Sequence, residues 1–297
     1  MKRAIIPILA LFFLASCTLP FTITWNTPAA QPSASLPPVE ITAPVVVITA
    51  TPETPTQISG YETNQGGVYM IVPPCLGTGA TGMIKSANDP GPDMPAFAYN
   101  PEYRSITIQG YSVTNEHFQP EVRVYPVAEF NAMIADNYVN NQVSALQAIL
   151  ASGVIPTGTN IPLLPVQGAA QVFRAQASII SFQNGQGVGF LTEYAQYYVP
   201  VNNADLFYTF QGLTSDSAYW ISATFPVNVS FLQNSPDQNA VVPPGGIVQP
   251  VPGVASDAEL TAYYDNMVVM LNATPVDQFN PSLACIVSFI QTLNITN

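Results

Sequence analysis

Charged residues are scarce in this sequence of 297 residues, and positive charge is the scarcest. Lys, Arg, Asp and Glu make up 8 % of the chain, about a third of the roughly 25 % found in ordinary soluble proteins. Six residues are Lys or Arg and 18 are Asp or Glu, which gives a formal net charge of −12. Nucleic-acid binding depends on clustered Lys and Arg that displace counterions from phosphates. The composition therefore argues against a nucleic-acid partner.

Histidine and cysteine are also rare, which restricts metal and thiol chemistry. His117 is the only histidine, and Cys17, Cys75 and Cys285 are the only cysteines. A zinc site needs several such ligands at characteristic spacings, which this chain lacks. A catalytic thiol at Cys75, with His117 as its base, would sit in a Pro-Pro-Cys-Leu-Gly segment that matches no cysteine-protease motif. We therefore expect no metal, no cofactor and no catalytic cysteine.

The first sixteen residues have the three parts of an export signal. Lys2 and Arg3 form a positive start, and residues 4–14 form an apolar run too short to span a bilayer as a helix. Leu14-Ala15-Ser16-Cys17 follows and resembles the lipobox of bacterial lipoproteins. The resemblance implies cleavage before Cys17 and a diacylglycerol on its thiol, so that the chain is held to a cell membrane on its extracytoplasmic face. An ordinary secretory signal is the alternative.

The remaining sequence divides into a linker and one domain. Residues 17–60 comprise the lipidated cysteine and a Pro/Thr-rich stretch without Lys or Arg, which favours an extended, disordered chain over a packed core. Residues 61–297 carry the mixed strand and helix patterns of a single domain. Without the leader, four Lys or Arg face 18 acidic residues, a side-chain balance of −14. This charge opposes docking on anionic lipid, so membrane contact would depend on the lipid at Cys17.

In an oxidising compartment, Cys75 and Cys285 are expected to form a disulfide.

The order of predicted elements indicates an α+β fold. Strands are predicted near residues 67–72, 105–113 and 121–125, and a helical stretch follows over residues 126–151. Two hairpins come next, at residues 171–198 around Asn184-Gly185-Gln186-Gly187 and at residues 205–226. Ser256 and Glu259 have capping-box spacing at the start of a helix to about residue 271, and a last helix spans residues 282–293. This pattern predicts an antiparallel sheet with helices packed on one face.

The end of the chain resembles the PsbP/Mog1-type domains over about its last third. The resemblance rests on the strand at residues 218–223 and on the final helix segment, with Phe279-Asn280-Pro281-Ser282-Leu283 and Ser288-Phe289. The long helix before the hairpins is not part of it. That family includes binding and assembly factors, so the resemblance implies a non-enzymatic role.

Several other groups of residues could act in catalysis or in ligand binding. A glycan hydrolase needs two carboxylates across a cleft, and Glu129, Glu193, Asp205 and Asp216 could supply them. Residues 88–93 could offer loop oxygens to Ca²⁺, although without EF-hand spacing. Gly185, Gly187 and Gly189 lie between strands, so we expect no phosphate loop there. An aromatic set could stack on sugar rings or fill the core; it comprises Tyr194, Tyr197, Tyr198, Phe207, Tyr208, Tyr219 and Trp220.

Three functions remain open from the sequence. The leading hypothesis is a non-enzymatic, membrane-anchored module that binds a protein, a wall polymer or a glycan. The alternative is an extracytoplasmic glycan hydrolase with a carboxylate pair, and the third possibility is a structural component of the envelope. Ligand, oligomeric state and biological process are not specified by these patterns.

Replacing the cysteine of the lipobox tests the anchor. Cys17→Ser removes the thiol that would carry the lipid, so we expect the chain to leave the membrane fraction or to keep its leader. Fractionation and intact-mass measurement would show either change. Ser16→Ala keeps a small residue before the cleavage site and should be processed normally. Unchanged membrane retention of Cys17→Ser would contradict the lipid anchor.

Overall fold

Twelve strands and four helices make up the regular structure in the computed structural model, which describes residues 58–91, 93–115, 117–157 and 160–296. The strands are β1 Tyr61–Gln65, β2 Val68–Val72, β3 Gly79–Lys85, β4 Tyr103–Gln109, β5 Glu121–Pro126, β6 Ala170–Gln171, β7 Ala175–Phe182, β8 Gly185–Thr192, β9 Tyr194–Ala195, β10 Phe207–Thr214, β11 Tyr219–Pro226 and β12 Asn294–Ile295. The helices are α1 Val127–Met133, α2 Tyr138–Ser152, α3 Asp257–Ala273 and α4 Leu283–Thr292. The predicted signal peptide and nearly all of the predicted linker lie outside the described residues.

Seven of the strands form one antiparallel sheet in the spatial order β3-β4-β5-β11-β10-β8-β7. Strands β1, β2 and β12 form a second, three-stranded antiparallel sheet. The predicted α+β class with an antiparallel sheet is therefore confirmed. Among the described residues, no helix combines the length and the apolar character that crossing a bilayer would demand.

Residues alternate between two faces of the large sheet, and each face has its own core. Tyr208 and Phe210 of β10 and Phe225 of β11 lie on the inner face, against buried residues of α3 and α4. Leu213 and Trp220 lie on the outer face, against α1 and α2. Since side chains alternate along a strand with a period of two, each hairpin contributes side chains to both cores.

The distribution of helices differs from the prediction. The sequence pattern placed all helices on one face, whereas α3 and α4 cover the inner face and α1 and α2 cover part of the outer face. The outer face is apolar at one end of β10 and β11, where Leu213 pairs with Trp220 across the hairpin. The apolar stripe of α2 packs against this end, because it would otherwise remain exposed to water.

The predicted helix over residues 126–151 is two helices. Asp136 and Asn137 between them adopt left-handed backbone angles, with φ of 61° and 53°. Asp and Asn tolerate this conformation better than other non-glycine residues, and it ends the regular helical path. The prediction of one continuous helix was wrong at this point, while the buried stripe of Val139, Val143 and Leu146 is as expected.

The first predicted hairpin forms, but its glycines have a different role. The turn consists of Gln183 and Asn184, and Gly185, Gly187 and Gly189 belong to β8. A Cβ atom on Gly189 would lie 2.1 Å from the hydroxyl oxygen of Tyr208. These glycines therefore allow close approach of neighbouring side chains rather than a tight turn.

The capping box of α3 and the cysteine pair agree with the sequence patterns. The Ser256 side chain accepts from the Glu259 backbone N–H at 3.3 Å, and the Glu259 carboxylate accepts from the Ser256 N–H at 2.8 Å. Cys75, in the loop after β2, and Cys285 in α4 lie at disulfide distance, with 2.06 Å between their sulfur atoms. They are 210 residues apart in sequence, so the pair ties the start of the described region to its end.

Removing the cysteine pair tests its contribution to stability. The double variant Cys75→Ser/Cys285→Ser frees a loop of 210 residues, which the chain-entropy account values at about 4–5 kcal/mol of unfolding free energy. We expect the melting temperature to fall by about 10–20 °C, measured by circular dichroism. Reduction of the disulfide should lower the melting temperature of the native chain by a similar amount and leave the melting temperature of the double variant unchanged. Two free thiols in the exported protein would contradict the bond.

Candidate functional site

Eight polar residues form a regular block on the outer face of the large sheet, beside the part that α1 and α2 cover. They occupy two rows across four strands in the order β4-β5-β11-β10. One row is Ser105, Arg123, Ser222 and Gln211, and the other is Thr107, Glu121, Thr224 and Thr209. Neighbours within a row are paired across adjacent strands, so their side chains lie side by side. We call these eight residues the polar array.

Gln211 holds the β10 side of the polar array in place. Its side chain is only 1 % exposed. Its amide nitrogen donates to the hydroxyls of Thr209 and Ser222, each at 3.0 Å. Its carbonyl oxygen accepts from the Trp220 indole N–H at 2.8 Å and from the Leu164 backbone N–H at 3.2 Å. All four hydrogen-bonding positions of this amide are therefore used, which removes the cost of burying it.

Glu121 and Arg123 form an ion pair on the β5 side of the polar array. The Arg123 Nε atom lies 2.7 Å from Oε2 of Glu121, and the hydroxyl of Ser105 donates to the other carboxylate oxygen. Burial favours the neutral form of Arg123, but Tyr125 and Glu121 raise its pKa above the ordinary value overall. The Arg123 side chain is 38 % exposed and that of Glu121 only 12 %. The accessible charge of this pair is thus the guanidinium.

The polar array forms the floor of a cleft of about 490 Å³. Met83 and Lys85 of β3 line one side, and residues 117–119 and the loop carrying Leu163, Pro165 and Gln167 line others. Phe207, also in the lining, packs against Phe118 with ring centroids 4.1 Å apart. Clefts that bind small ligands commonly measure about 300–1,000 Å³ and carry a few convergent polar groups. We refer to this space as the cleft.

The sequence patterns did not identify the cleft, although a signal for it was present. Each of the four strands has two polar residues two positions apart within an otherwise apolar stretch, as in Thr209 and Gln211. One such pair is ordinary for a solvent-facing strand. The signal becomes specific only when the strand order is known, because β5 and β11 are neighbours in the sheet but lie almost a hundred residues apart in the chain.

The four carboxylates considered for a hydrolase do not meet in the cleft. Glu129 is exposed on α1, and Asp216 lies at the tip of the second hairpin. There the Thr214 hydroxyl donates to Asp216 and lowers its pKa, with a further contribution from the Ala218 N–H. Among the described residues that line the cleft, Glu121 is the only acidic one. The cleft thus offers one carboxylate, already engaged by Arg123, and gives no support to the carboxylate-pair hypothesis.

Glu193 and Asp205 belong to a separate chain of contacts that ends at His117. Glu193 is fully buried, and its Oε1 accepts from the Asn202 backbone N–H at 2.7 Å. The Asn202 side chain donates to Asp205 at 2.9 Å, and Asp205 lies 3.6 Å from Nε2 of His117. Within the described residues, Glu193 Oε2 has no hydrogen-bond partner, and the His117 side chain makes no hydrogen bond to a hydroxyl or thiol that could act as a nucleophile. This chain of contacts therefore lacks the third member that a catalytic triad requires.

The remaining candidates fall into structural roles. Asp89, in the loop once considered for Ca²⁺, accepts from the Gly91 N–H at 3.1 Å in an ordinary turn. Across the described ranges, no group of three His, Cys, Asp or Glu side chains could hold a metal ion. Of the aromatic set, Tyr208 and Trp220 are buried in opposite cores, while Tyr197 is 77 % exposed. The set therefore does not form one stacking surface.

Comparisons of the chain with protein-family models, with curated proteins and with solved structures give no match. The resemblances to lipoproteins and to PsbP/Mog1-type domains accordingly stay predictions. The functional argument rests on the cleft and on the chemistry of its residues.

Glu193 predicts a specific dependence of stability on pH. Burial raises the pKa of this carboxyl well above the ordinary 4.5, the Asn202 hydrogen bond acts against the shift, and the charge of Asp205 adds to it. The folded chain therefore keeps a proton that the unfolded chain releases above about pH 4.5, and stability falls as pH rises through the window up to the folded pKa. The slope is about 1.4 kcal/mol per pH unit within that window.

The neutral variant Glu193→Gln should remove this slope. We expect its melting temperature to exceed that of the native chain at pH 8, with the difference shrinking towards pH 4.5. Melting curves across this range provide the measurement. Glu129→Gln, which changes an exposed carboxyl, should show no such trend. If the difference between Glu193→Gln and the native chain were constant from pH 5 to 8, the buried neutral carboxyl would be refuted.

Proposed function

We propose that this chain is a membrane-anchored, extracytoplasmic binding module whose cleft takes up a glycan. The observation that carries the proposal is the polar array, whose buried members hold a fixed floor and whose partly exposed members, Thr107, Thr224 and Arg123, present hydroxyl and guanidinium groups to a concave space. Sugars present many hydroxyl groups that both donate and accept hydrogen bonds. The hydroxyls of Thr107 and Thr224, which are partly exposed, can donate and accept in return.

The geometry favours a glycan over a protein partner. Stable protein interfaces bury about 800 Å² on each side and have an apolar centre. The centre of the cleft is polar, since Thr209, Gln211 and Ser222 form its floor. Phe118, which is partly exposed and packs on the buried Phe207, lies at its wall, where its ring could contact the apolar face of a sugar. A wall polymer with a carbohydrate backbone belongs to the same ligand class.

The proposed location has support from the sequence and from the cysteine pair. The leader and the Leu14-Ala15-Ser16-Cys17 segment favour export and lipidation at Cys17. Disulfides persist in oxidising compartments outside the cytoplasm, and Cys75 lies at disulfide distance from Cys285. The low content of charged residues means that polar, uncharged side chains make up much of the surface that a glycan would meet. The Pro/Thr-rich composition of residues 17–60 suits a spacer between the proposed anchor and the cleft.

Blocking the cleft tests the proposed site. Thr107→Trp places an indole above the polar array, so we expect at least a tenfold loss of affinity. The measurement is binding of the full chain, purified in detergent, to an array of neutral and acidic oligosaccharides, followed by calorimetric titration of the strongest binder.

The matched control is Thr261→Trp, an exposed position on α3, the helix that packs against the opposite face of the sheet. It adds the same side chain away from the cleft and should bind as the native chain does. Circular dichroism would confirm that both variants fold. Binding to no oligosaccharide, or equal affinity of the two variants, would overturn the cleft as a glycan site.

A further inference from the structure

The cleft concentrates positive charge in a chain that has very little of it. Beyond the leader, the sequence contains four Lys or Arg residues. Two of them, Lys85 and Arg123, line the cleft. Among the described lining residues, Glu121 is the single acid, whereas the whole chain has 18 acidic residues. The cleft therefore carries a positive balance within a strongly negative protein.

The two cations lie on either side of one aromatic ring. Lys85 of β3 is paired with Tyr103 of β4 across the sheet, and the Arg123 guanidinium carbon lies 6.0 Å from the centre of the Tyr103 ring. Strands β3, β4 and β5 are consecutive in the sheet, and Arg123 is in register with Met83, two residues from Lys85. The Cα atoms of the two cationic residues are therefore roughly 12 Å apart. A small anionic group between them would lie within about one Debye length of both charges.

The acid in the cleft offsets one of the two positive charges, so the balance stays positive. Glu121 is held by Ser105 and by the Nε atom of Arg123 and is largely covered, while more than a third of the Arg123 side chain is exposed. Lys85 is exposed and makes no ion pair with any described residue. Both cations thus remain accessible to an incoming ligand.

From this geometry we infer that the ligand is an acidic glycan, with its carboxylate or phosphate group placed between Lys85 and Arg123. The inference rests on the proposed glycan-binding function and narrows its ligand class. Hydroxyl groups of the ligand contact the polar array, and the anionic group supplies selectivity, because it finds positive charge in the cleft and net negative charge over the rest of the chain. Arginine is suited to this role, since its planar guanidinium can bind an oxyanion through two hydrogen bonds.

The first experiment compares probes that differ only in charge. The full chain is titrated with trigalacturonate and with the methyl ester of the same trisaccharide, which is neutral and of equal length. We expect at least tenfold tighter binding of the acid at 20 mM salt and a smaller ratio at 500 mM salt, because salt screens the interaction. A glycerol-phosphate oligomer forms a third arm, which distinguishes a phosphate-bearing ligand from a carboxylate-bearing one.

Substitutions of charged residues test which side chains are responsible for the preference for the acidic ligand. Lys85→Gln alters an exposed side chain that makes no ion pair, so it should fold normally and weaken binding of the acid by about fivefold. Glu121→Gln removes the only acid among the described lining residues and should strengthen binding by a similar factor. Arg104→Gln is the matched control, because Arg104 lies on β4 beside Ser105 but on the inner face, with its guanidinium carbon 4.7 Å from the centre of the Tyr219 ring.

The outcomes separate the two proposals. Equal binding of the acid and its ester, with no effect of Lys85→Gln, would overturn the anionic ligand and leave the glycan site standing. Binding of the glycerol-phosphate oligomer alone would support an anionic ligand that bears phosphate and would overturn the glycan site, because this oligomer has no sugar ring. Binding of none of the three probes by the native chain would count against the anionic ligand and the glycan site together.

Discussion

The buried amide of Gln211 is the interaction on which the outer face of the sheet depends. Through one side chain it joins the apolar cover at Trp220, the loop at Leu164 and the polar side chains of Thr209 and Ser222. A buried amide with a missing partner would cost about 1–3 kcal/mol for each unsatisfied group. Because all of its partners are present, Gln211 can lie between the helix-covered core and the open cleft without this cost. The position of the cleft follows from this arrangement.

The two faces of the sheet differ in how completely they are covered. On the inner face, α3, α4 and the three-stranded sheet bury a large apolar cluster, and Cys75 and Cys285 lie together there. Burial of apolar surface contributes about 25 cal/mol per Å² to folding. The outer face is covered only in part, by α1 and α2. It can therefore keep polar residues in a concave space without loss of the fold.

Local patterns predicted the elements well wherever the deciding interaction is short-range. The hairpin of β10 and β11, the capping box at Ser256 and the helix that contains Cys285 all depend on residues close in sequence. The break at Asp136 and Asn137 was missed because an amphipathic stripe continues across it. The cleft was missed because the pairing of β5 with β11 joins distant segments. Glu193 was noted as a carboxylate, but its burial follows from tertiary packing that no local pattern shows.

The buried Glu193 and the paired Glu121 show how surroundings decide the role of a carboxylate. Glu121 has a guanidinium and a hydroxyl as partners, so its charge is balanced within the polar array. Glu193 has one backbone N–H as its partner and a second carboxylate, Asp205, nearby, so its neutral form is favoured. Neither arrangement places two free carboxylates across a common space, which glycan hydrolysis with paired acids requires. The accessible cations and the single, paired acid among the described lining residues are the features of the cleft that agree with the proposed binding of an acidic sugar chain.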